Sequence, residues 1–458
     1  MDETPLNGGI PYIGQPGRCR GWNVPPSPGR HIFSPMKPFL ALTLGGVAAV
    51  STAAIPSPTK PQCAPDNGGL KLPPGFCVTL FADSLVAPRH MVVAPNGDVI
   101  VAIRSTQKDT GGVVVLRDSD GDGRADRRNR FGKFNATEVR LLGNQLYTEN
   151  TTSILRYRLP PGRMQPEGNP DTIVSGMPAQ RGHVAKTFVI LNGQLYVNHG
   201  SMTNACQEQD RAPGSKGKDP CTELDERAGI WRYSAERRGQ TPKDGIHFAR
   251  GIRNAVAMAV EPRSNALFVM QHGRDQLSNN WPSLFTDAKG AEAPAEEMLH
   301  VTRNADFGWP YCYFDPELKQ KVLAPEYGGD GKTVGRCEGK AQNVGAFPAH
   351  WAPNGLLFYT GNGLPARYRN GAFIAFHGSW NRAPLPQQGF KVVFQPMANG
   401  RATGDYEVFA DGFINANGQP TELGGRPAGL TQGRNGELYL SDDGRGRIWR
   451  IQYVGDGK

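Results

Sequence analysis

The nine residues from Asp118 to Asp126 carry four carboxylates, in the order Asp118-Ser-Asp120-Gly-Asp122-Gly123-Arg-Ala-Asp126. Acidic side chains at alternating positions, followed by glycine, are the pattern of a hard-cation loop. Calcium takes about six to eight oxygen ligands, and the glycine permits the turn that gathers them. The closing Glu of an EF-hand loop is missing, so Asp126 is the expected last ligand. An acidic turn between strands would leave the same trace.

A second set is basic. It comprises Arg89-His90, His183 with Lys186, Arg253-Asn254, His350, the run His377-Gly-Ser-Trp380-Asn381-Arg382, and Arg426. Guanidinium forks match carboxylates in bidentate geometry. Several of them facing one cavity repel each other unless an anion sits among them. If these residues converge, they ask for an anionic ligand with more than one carboxylate. His377 and Trp380 would add polar and flat surface for a planar molecule. Pairing of the same Arg with Asp and Glu in the surrounding sheets is the competing reading. His183 opens a strand in the context GHVAK, where an imidazole can serve as general base near neutral pH. A packed, hydrogen-bonded His is the ordinary alternative.

Convergence depends on the elements that carry these residues. One cassette, an Asn/Gly-type turn followed by an alternating strand, recurs six times: PNGDVIVA from Pro95, GNQLYTEN from Gly143, NGQLYVNHG from Asn192, SNALFVMQHG from Ser264, NGAFIAFHG from Asn370 and NGELYLSDD from Asn435. A β-rich segment precedes most copies. Each reads as a hairpin that is too small to be stable alone and must sit in a larger sheet. An all-β, six-bladed β-propeller accounts for the repetition. Unrelated hairpins in one or two β-sandwiches are the alternative, and they leave the recurring cassette unexplained. Scarce amphipathic helix patterns exclude α/β barrels and doubly wound folds. The segment 68–82, GGLKLPPGFCVTLFA, reads as an opening strand that completes the last blade beside RIWRIQY, 447–453, and so removes a free sheet edge. Residues before each hairpin then gather on one face, which brings the basic set together.

The chain has 458 residues, with 58 Gly, 38 Pro and a formal charge of +9. Its basic residues are scattered, without stacking aromatics or a nucleic-acid motif, so nucleic-acid binding is not expected. Met36-Lys-Pro followed by FLALTLGGVAAVSTAA, 39–54, reads as a secretory signal at 36–54. The run is short for a transmembrane span. Once cleaved it leaves no membrane anchor; an uncleaved anchor is the alternative. Residues 1–35 read as an upstream extension or a mis-called start, 55–67 as a linker, and 68–458 as one propeller domain. Six of the seven Cys lie after the signal, and an even count in an exported chain reads as disulfides. Proximity favours Cys63–Cys77, Cys206–Cys221 and Cys312–Cys337. The location expected is periplasmic or secreted.

Seven stretches together resemble the glucose/sorbosone dehydrogenase family, nearest its sorbosone or pyranose dehydrogenase branch, across most of residues 68–453. They are LPPGF (72–76), APRHMVVAPNGDVIVA (87–102), GHVAKTFVILNGQLYVNHGS (182–201), GIRNAVAMAV (251–260), ADFGWPYC (305–312), FHGSWNR (376–382) and GRPAGL (425–430). The resemblance implies a soluble dehydrogenase that uses pyrroloquinoline quinone (PQQ) and calcium to oxidise an aldose or a sugar aldehyde such as sorbosone. It implies His183 as catalytic base and Arg253, Asn254 and Arg426 as cofactor contacts. Arg89, His377, Trp380, Asn381 and Arg382 look similar to quinone-pocket residues. Gly273 and Arg274 fall where backbone carbonyls hold the active-site calcium. Two positions depart from the glucose branch: Val256 stands in place of Gln, and Arg274 in place of Pro. An external electron acceptor such as a cytochrome c is implied, because the chain has no CxxCH of its own. A calcium-dependent lactonase and a non-enzymatic extracellular binding propeller remain as alternatives. The first needs carboxylates and Asn on the axis; the second would show no PQQ-stimulated dye reduction.

Overall fold

The computed structural model describes residues 62–179 and 182–455. The upstream extension 1–35 and the signal 36–54 lie outside the described residues. Six antiparallel blade sheets follow one another along the chain, and a two-stranded sheet, Cys312–Asp315 with Gln320–Leu323, is inserted in the fourth. Blade 1 holds Pro88–Val93, Val99–Ile103, Gly112–Arg117 and Arg127–Phe131. Blade 2 holds Val139–Leu142, Gln145–Asn150, Ser153–Arg158 and Glu167–Val174. Blade 3 holds Phe188–Leu191, Gln194–His199, Gly229–Ser234 and Ile246–Arg250. Blade 4 is Ala257–Glu261, Ala266–Gln271, Glu296–Val301 and Gly345–Phe347, and blade 5 is Pro353–Phe358, Gly371–Phe376, Lys391–Ala398 and Glu407–Ala410. Blade 6 is Pro427–Gln432, Leu438–Asp442 and Arg447–Tyr453, completed by Phe76–Ala82 from the other end of the chain. This is the six-bladed propeller, closed as the opening strand suggested. Closure leaves no sheet edge between first and last blade.

The strands repeat because each sheet is covered on both faces by its neighbours. Val99–Ile103, VIVAI, is buried at every position, as is Gly371–Phe376, GAFIAF. A strand covered on both faces needs no polar alternation. One hydrophobic cluster fills each junction between blades. Phe76, Phe373, Phe394 and Trp449 join blades 5 and 6, whereas Val101, Leu116 and Tyr439 join blades 6 and 1. Full burial of such a side chain contributes about 1.5–3 kcal/mol. The first strands pack against one another around the axis.

The fifth cassette differs from the expected tight hairpin. Residues 359–370 separate its first two strands and include a 3-10 turn at Ala366–Arg369. Tyr368 in that turn is fully buried against Phe373 and Phe394, so the longer connection is part of the core. The three disulfides join Cys63–Cys77, Cys206–Cys221 and Cys312–Cys337, closing separations of 14, 15 and 25 residues. Loops of that size correspond to about 3 kcal/mol of stabilisation each. Residues 62–67, read as the tail of a linker, are tied to the closing strand. The Cys63 bridge holds them, as do bonds from Thr79 Oγ1 to the Gln62 carbonyl and from the Val78 amide to Asn67 Oδ1.

Below the site, the axis is closed by a polar plug. His90 bonds Glu138 at 2.9 Å and the Asn354 carbonyl at 2.6 Å. Arg140 donates to Glu138 and to the carbonyls of Phe188 and Met258. Five blades meet in these contacts, and His90 belongs to them instead of to an open cavity.

Candidate active site

Neighbouring strands are antiparallel, so the start of a first strand and the end of a second strand lie at the same end of a blade. The Arg/His set sits on these two kinds of connection. Arg89, His183, Arg253, His350 and Arg426 lie at or just before first strands. Asp275, His377 and Asp443 follow second strands, on connections less constrained than the sheets beneath. Two glycines let the chain close around His183. A Cβ on Gly200 would meet the His183 Cβ at 2.4 Å, and one on Gly182 would meet the Met202 carbonyl oxygen at 2.3 Å.

One pole of the site centres on Asp443. This carboxylate pairs with Arg89 Nη1 and with His377 Nε2 at 2.7 Å. Burial raises its pKa, but His377 and Arg89 overcome burial and hold it well below the usual carboxylate range. Burial also lowers His377 to about 4, against the pull of Asp443. Arg426 donates Nε to the His377 carbonyl at 2.9 Å and Nη2 to the Gly378 carbonyl at 2.6 Å. Burial lowers its pKa against the pull of Asp443, and Arg89 and Arg104 add to the lowering. Arg104 is only partly buried, and that burial together with Arg89 lowers its pKa. The Arg89 Nε is buried with no partner. Three guanidinium groups therefore lie in the field of one carboxylate, only Arg89 pairs with it, and the Arg89 Nε remains unmet. Asp443 answers part of this charge, as the reading in which the Arg pair with Asp and Glu of the blades expects.

The other pole centres on Asp275. Its Oδ2 accepts from Arg253 Nη2 and Arg211 Nη2, each at 2.9 Å, and its Oδ1 accepts from Asn381 Nδ2 at 2.9 Å. His350 Nδ1 lies 4.0 Å away. Burial raises this carboxyl, but Arg253 and Arg211 prevail and hold it well below the usual range. Arg253 also donates Nη1 to the Gly273 carbonyl at 2.9 Å, Nε to the Asn204 carbonyl at 3.1 Å and Nη2 to Asn204 Oδ1 at 3.0 Å. The Gly273 amide donates to Glu296 Oε2 at 2.8 Å, and burial pushes Glu296 up to about 8.

His183 stands beside this pole. Its Nδ1 is 3.0 Å from the Ser201 carbonyl oxygen, which can only accept, so Nδ1 carries the proton. Nε2 then presents a lone pair. Burial, reinforced by Arg253, lowers the His183 pKa well below the ordinary value and keeps the ring neutral. Ser201 is fixed in turn, because its amide donates to the Arg253 carbonyl at 2.8 Å. Asn254 Oδ1 accepts from Asn198 Nδ2 at 3.0 Å, which orients the amide next to Arg253.

The basic run divides. His377 reaches Asp443 and Asn381 reaches Asp275, so the loop spans both poles. Trp380, held between these anchors, is 63 % exposed at the rim. Arg382 turns the other way: it donates to the carbonyls of Ala291, Ala349 and Pro386 and pairs with Glu292. That guanidinium braces the loop and does not face the poles. The Arg274 side chain also points away, gripping both oxygens of buried Glu326 at 2.6 Å. Lys186 is buried, bonding the Val184 carbonyl at 3.0 Å.

In the acidic loop, carboxylate oxygens of Asp118, Asp120 and Asp122 lie within 4.8 Å of one another. Asp126 stands apart from that group and accepts the Ser119 amide at 2.7 Å. The loop joins the third and fourth strands of blade 1, at the opposite end of the blade from the two poles. Sequence reasoning missed Arg104, Arg211, Asp275 and Asp443. Arg104, Asp275 and Asp443 follow a second strand by one to four residues, the position that also carries Gly273, Arg274 and His377.

Residues 70–454 match the TrAA12-like family. An uncharacterised protein of Borreliella burgdorferi is 31 % identical over 216 residues, covering 47 % of this chain; the match spans half (50 %) of that relative's length. A protein of Hypocrea jecorina called a pyrroloquinoline quinone-dependent sugar dehydrogenase is 23 % identical over 413 residues, covering 83 % of this chain and 89 % of that one. Among solved structures, a Trichoderma reesei carbohydrate-active enzyme of family AA12 superposes with a TM-score of 0.69 at 19 % identity, over 84 % of this chain and 98 % of that one. The PQQ domain of pyranose dehydrogenase from Coprinopsis cinerea, in its holo form, superposes with a TM-score of 0.67 at 21 % identity, over 87 % and 99 %. At these identities the superpositions speak for the propeller fold. The family match covers the propeller from the closing strand to the last blade, and the chain belongs to the TrAA12-like family.

Proposed function

We propose that this protein is a PQQ-dependent sugar dehydrogenase, a quinone-dependent oxidoreductase acting on a CH–OH group of an aldose or a hydrated sugar aldehyde. The observation that carries the reading is the surplus of guanidinium at the Asp443 pole, together with a neutral, anchored His183 beside the Asp275 pole. The relatives named as PQQ-dependent dehydrogenases favour it. PQQ fits the donor set: the unpartnered Nε of Arg89 and the clustered positive charge of Arg89, Arg104 and Arg426 suit its carboxylates, and Asn254 and Arg253 stand near His183 for its quinone end. When bound, PQQ supplies an electrophilic quinone that accepts hydride.

The rest is the work of this chain. His183 Nε2 takes the hydroxyl proton as the substrate C–H leaves with its electron pair. The Nδ1–H bond to Ser201 keeps the ring in the tautomer that does so. Arg253, fixed by four bonds, provides a permanent positive charge beside the reacting oxygen without reorganisation. Asn381 and His377 tie the rim loop across the site, and Trp380 offers an apolar face at the mouth. Two electrons leave to an external acceptor such as a cytochrome c. Export to a periplasmic or secreted location is part of the proposal, consistent with three disulfides. Among the described residues no helix is long and apolar enough to cross a membrane.

A hard cation such as calcium would bind at the Asp118–Asp120–Asp122 loop, where three carboxylates lie close together. The axial place at Gly273 and Arg274 does not fit one, because Arg253 already donates to the Gly273 carbonyl and to Asp275. The lactonase reading is disfavoured by the same feature, since both axial carboxylates are engaged by Arg. The test is purification of the mature chain, addition of PQQ, and assay of dye reduction with aldoses and sorbosone. Sugar-dependent reduction is expected; a bound quinone spectrum without any turnover would favour a binding propeller.

A further inference from the structure

We infer that Arg253 is the resident cation of this active site, seated in an oxygen cage where the family resemblance places calcium, so that PQQ binding needs no calcium at the axis. The inference rests on the PQQ reading above. Four of the five guanidinium N–H groups of Arg253 point at oxygens. These are the Asn204 carbonyl at 3.1 Å, Asn204 Oδ1 at 3.0 Å, the Gly273 carbonyl at 2.9 Å and Asp275 Oδ2 at 2.9 Å. Two carbonyls, an amide oxygen and a carboxylate are the ligand types a hard cation takes. Here they surround a planar, permanently charged fork whose own shape matches them.

The cage has nothing left over for a divalent ion. Asp275 is its one carboxylate, and a second guanidinium, Arg211, shares the same oxygen at 2.9 Å while Asn381 holds the other. Glu296, the nearest other acid, uses its two oxygens on the amides of Gly273 and Ala352. Asn204 Oδ1 also accepts the Asp275 amide at 2.8 Å, and the Asn204 carbonyl also accepts from Trp309 Nε1 at 3.0 Å. A calcium ion would have to displace these bonds and sit between two fixed positive charges. The Arg at position 274 reinforces the arrangement from behind. Its side chain locks onto Glu326, and Glu326 also takes Trp281 Nε1 at 2.9 Å, which anchors the loop that carries Asp275. The fifth N–H of Arg253, the second on Nη1, has no partner among the described residues and is left for a ligand.

The inference predicts a specific exchange: Arg253→Ala should convert the cage into a calcium site. Apoprotein stripped with a chelator is titrated with PQQ, followed by quinone absorbance and tryptophan quenching, with and without added Ca2+. Wild type is expected to bind PQQ alike in both conditions. Arg253→Ala is expected to bind it at least about tenfold more weakly in chelator and to recover on adding Ca2+. Thermal melts run beside the titrations should show a Ca2+-dependent rise in the variant beyond that of wild type, the Asp118 loop being common to both. Calcium-dependent PQQ binding by wild type would overturn the inference and leave the PQQ reading intact. Failure of Ca2+ to restore a folded Arg253→Ala would also overturn it. No PQQ binding by wild type in either condition would overturn both. Should Arg253→Ala not fold, the wild-type titration decides alone.

Discussion

The Asp443 and Asp275 poles are built from the same residue types and differ in balance. At Asp443, three guanidinium groups surround one carboxylate, Arg89 Nε is buried without a partner, and Arg104 is only partly buried. At Asp275, four of the five N–H groups of Arg253 meet protein oxygens, and the carboxylate accepts from three side chains. An Arg whose donors are met is part of the scaffold's own electrostatics. An Arg with unmet donors near other Arg raises the energy of the empty site and is relieved by an anion. The comparison assigns anchoring of an anionic cofactor to the first pole and the chemistry, with His183, to the second.

His183→Ala tests the division most severely. Turnover in dye reduction should fall by about 10²–10⁴, while PQQ affinity in an absorbance titration stays near that of wild type. Unchanged turnover would remove His183 from the chemistry. Asp443→Asn should come next. It strips Arg89 and His377 of a buried partner at 3 % side-chain exposure, a loss of about 3–5 kcal/mol in denaturant melts. Part of that loss should return on adding citrate or PQQ, because an external anion can replace the missing charge; no recovery would mean that the pole is purely structural. Arg426→Ala should weaken PQQ by about 1.5–3 kcal/mol with kcat at saturation preserved. Equal loss of kcat would erase the distinction between poles.

Acid should separate them further. The unfolded chain protonates its His at about 6.5. His272, which follows the second strand of blade 4 and whose Nε2 bonds the Pro353 carbonyl at 2.9 Å, and His377 are both lowered by burial to about 4 in the folded protein. Their contribution to stability is complete above pH 6.5 and is lost as pH falls toward 4, so Tm should decline across that window. Glu296, raised to about 8, has the opposite sign and weakens the fold as pH rises from the ordinary carboxylate range through 8. The acid limb of kcat/KM should lie below 6.5, set by His183. A limb at or above 6.5 would contradict its burial beside Arg253. Trp380→Ala should have the smallest effect, a change in KM under about tenfold with Tm unaltered, as its ring is 63 % exposed.

Much of this was legible in the residues because it is local. A turn followed by a period-2 strand is a short-range signal, and six copies imply a ring. The closing strand and the neighbour disulfides followed from edge protection and proximity, and the structure has both. Other features were not legible. Arg382 sits in one hexapeptide with His377 and Asn381, yet it faces the opposite way, toward Ala291 and Ala349. The fifth cassette looked like a hairpin, although a buried turn around Tyr368 separates its strands.

By itself, then, the sequence determined the blade count, the closure and the residue types at the axis, since these depend on periodicity and on covalent neighbours. Only the tertiary structure decided which Arg are neutralised. Arg253 meets Asn204, Gly273 and Asp275, and Arg89 meets Asp443 across 354 residues of chain. Charge pairing depends on distances of a few ångströms between separate blades, and no spacing along the chain encodes those distances.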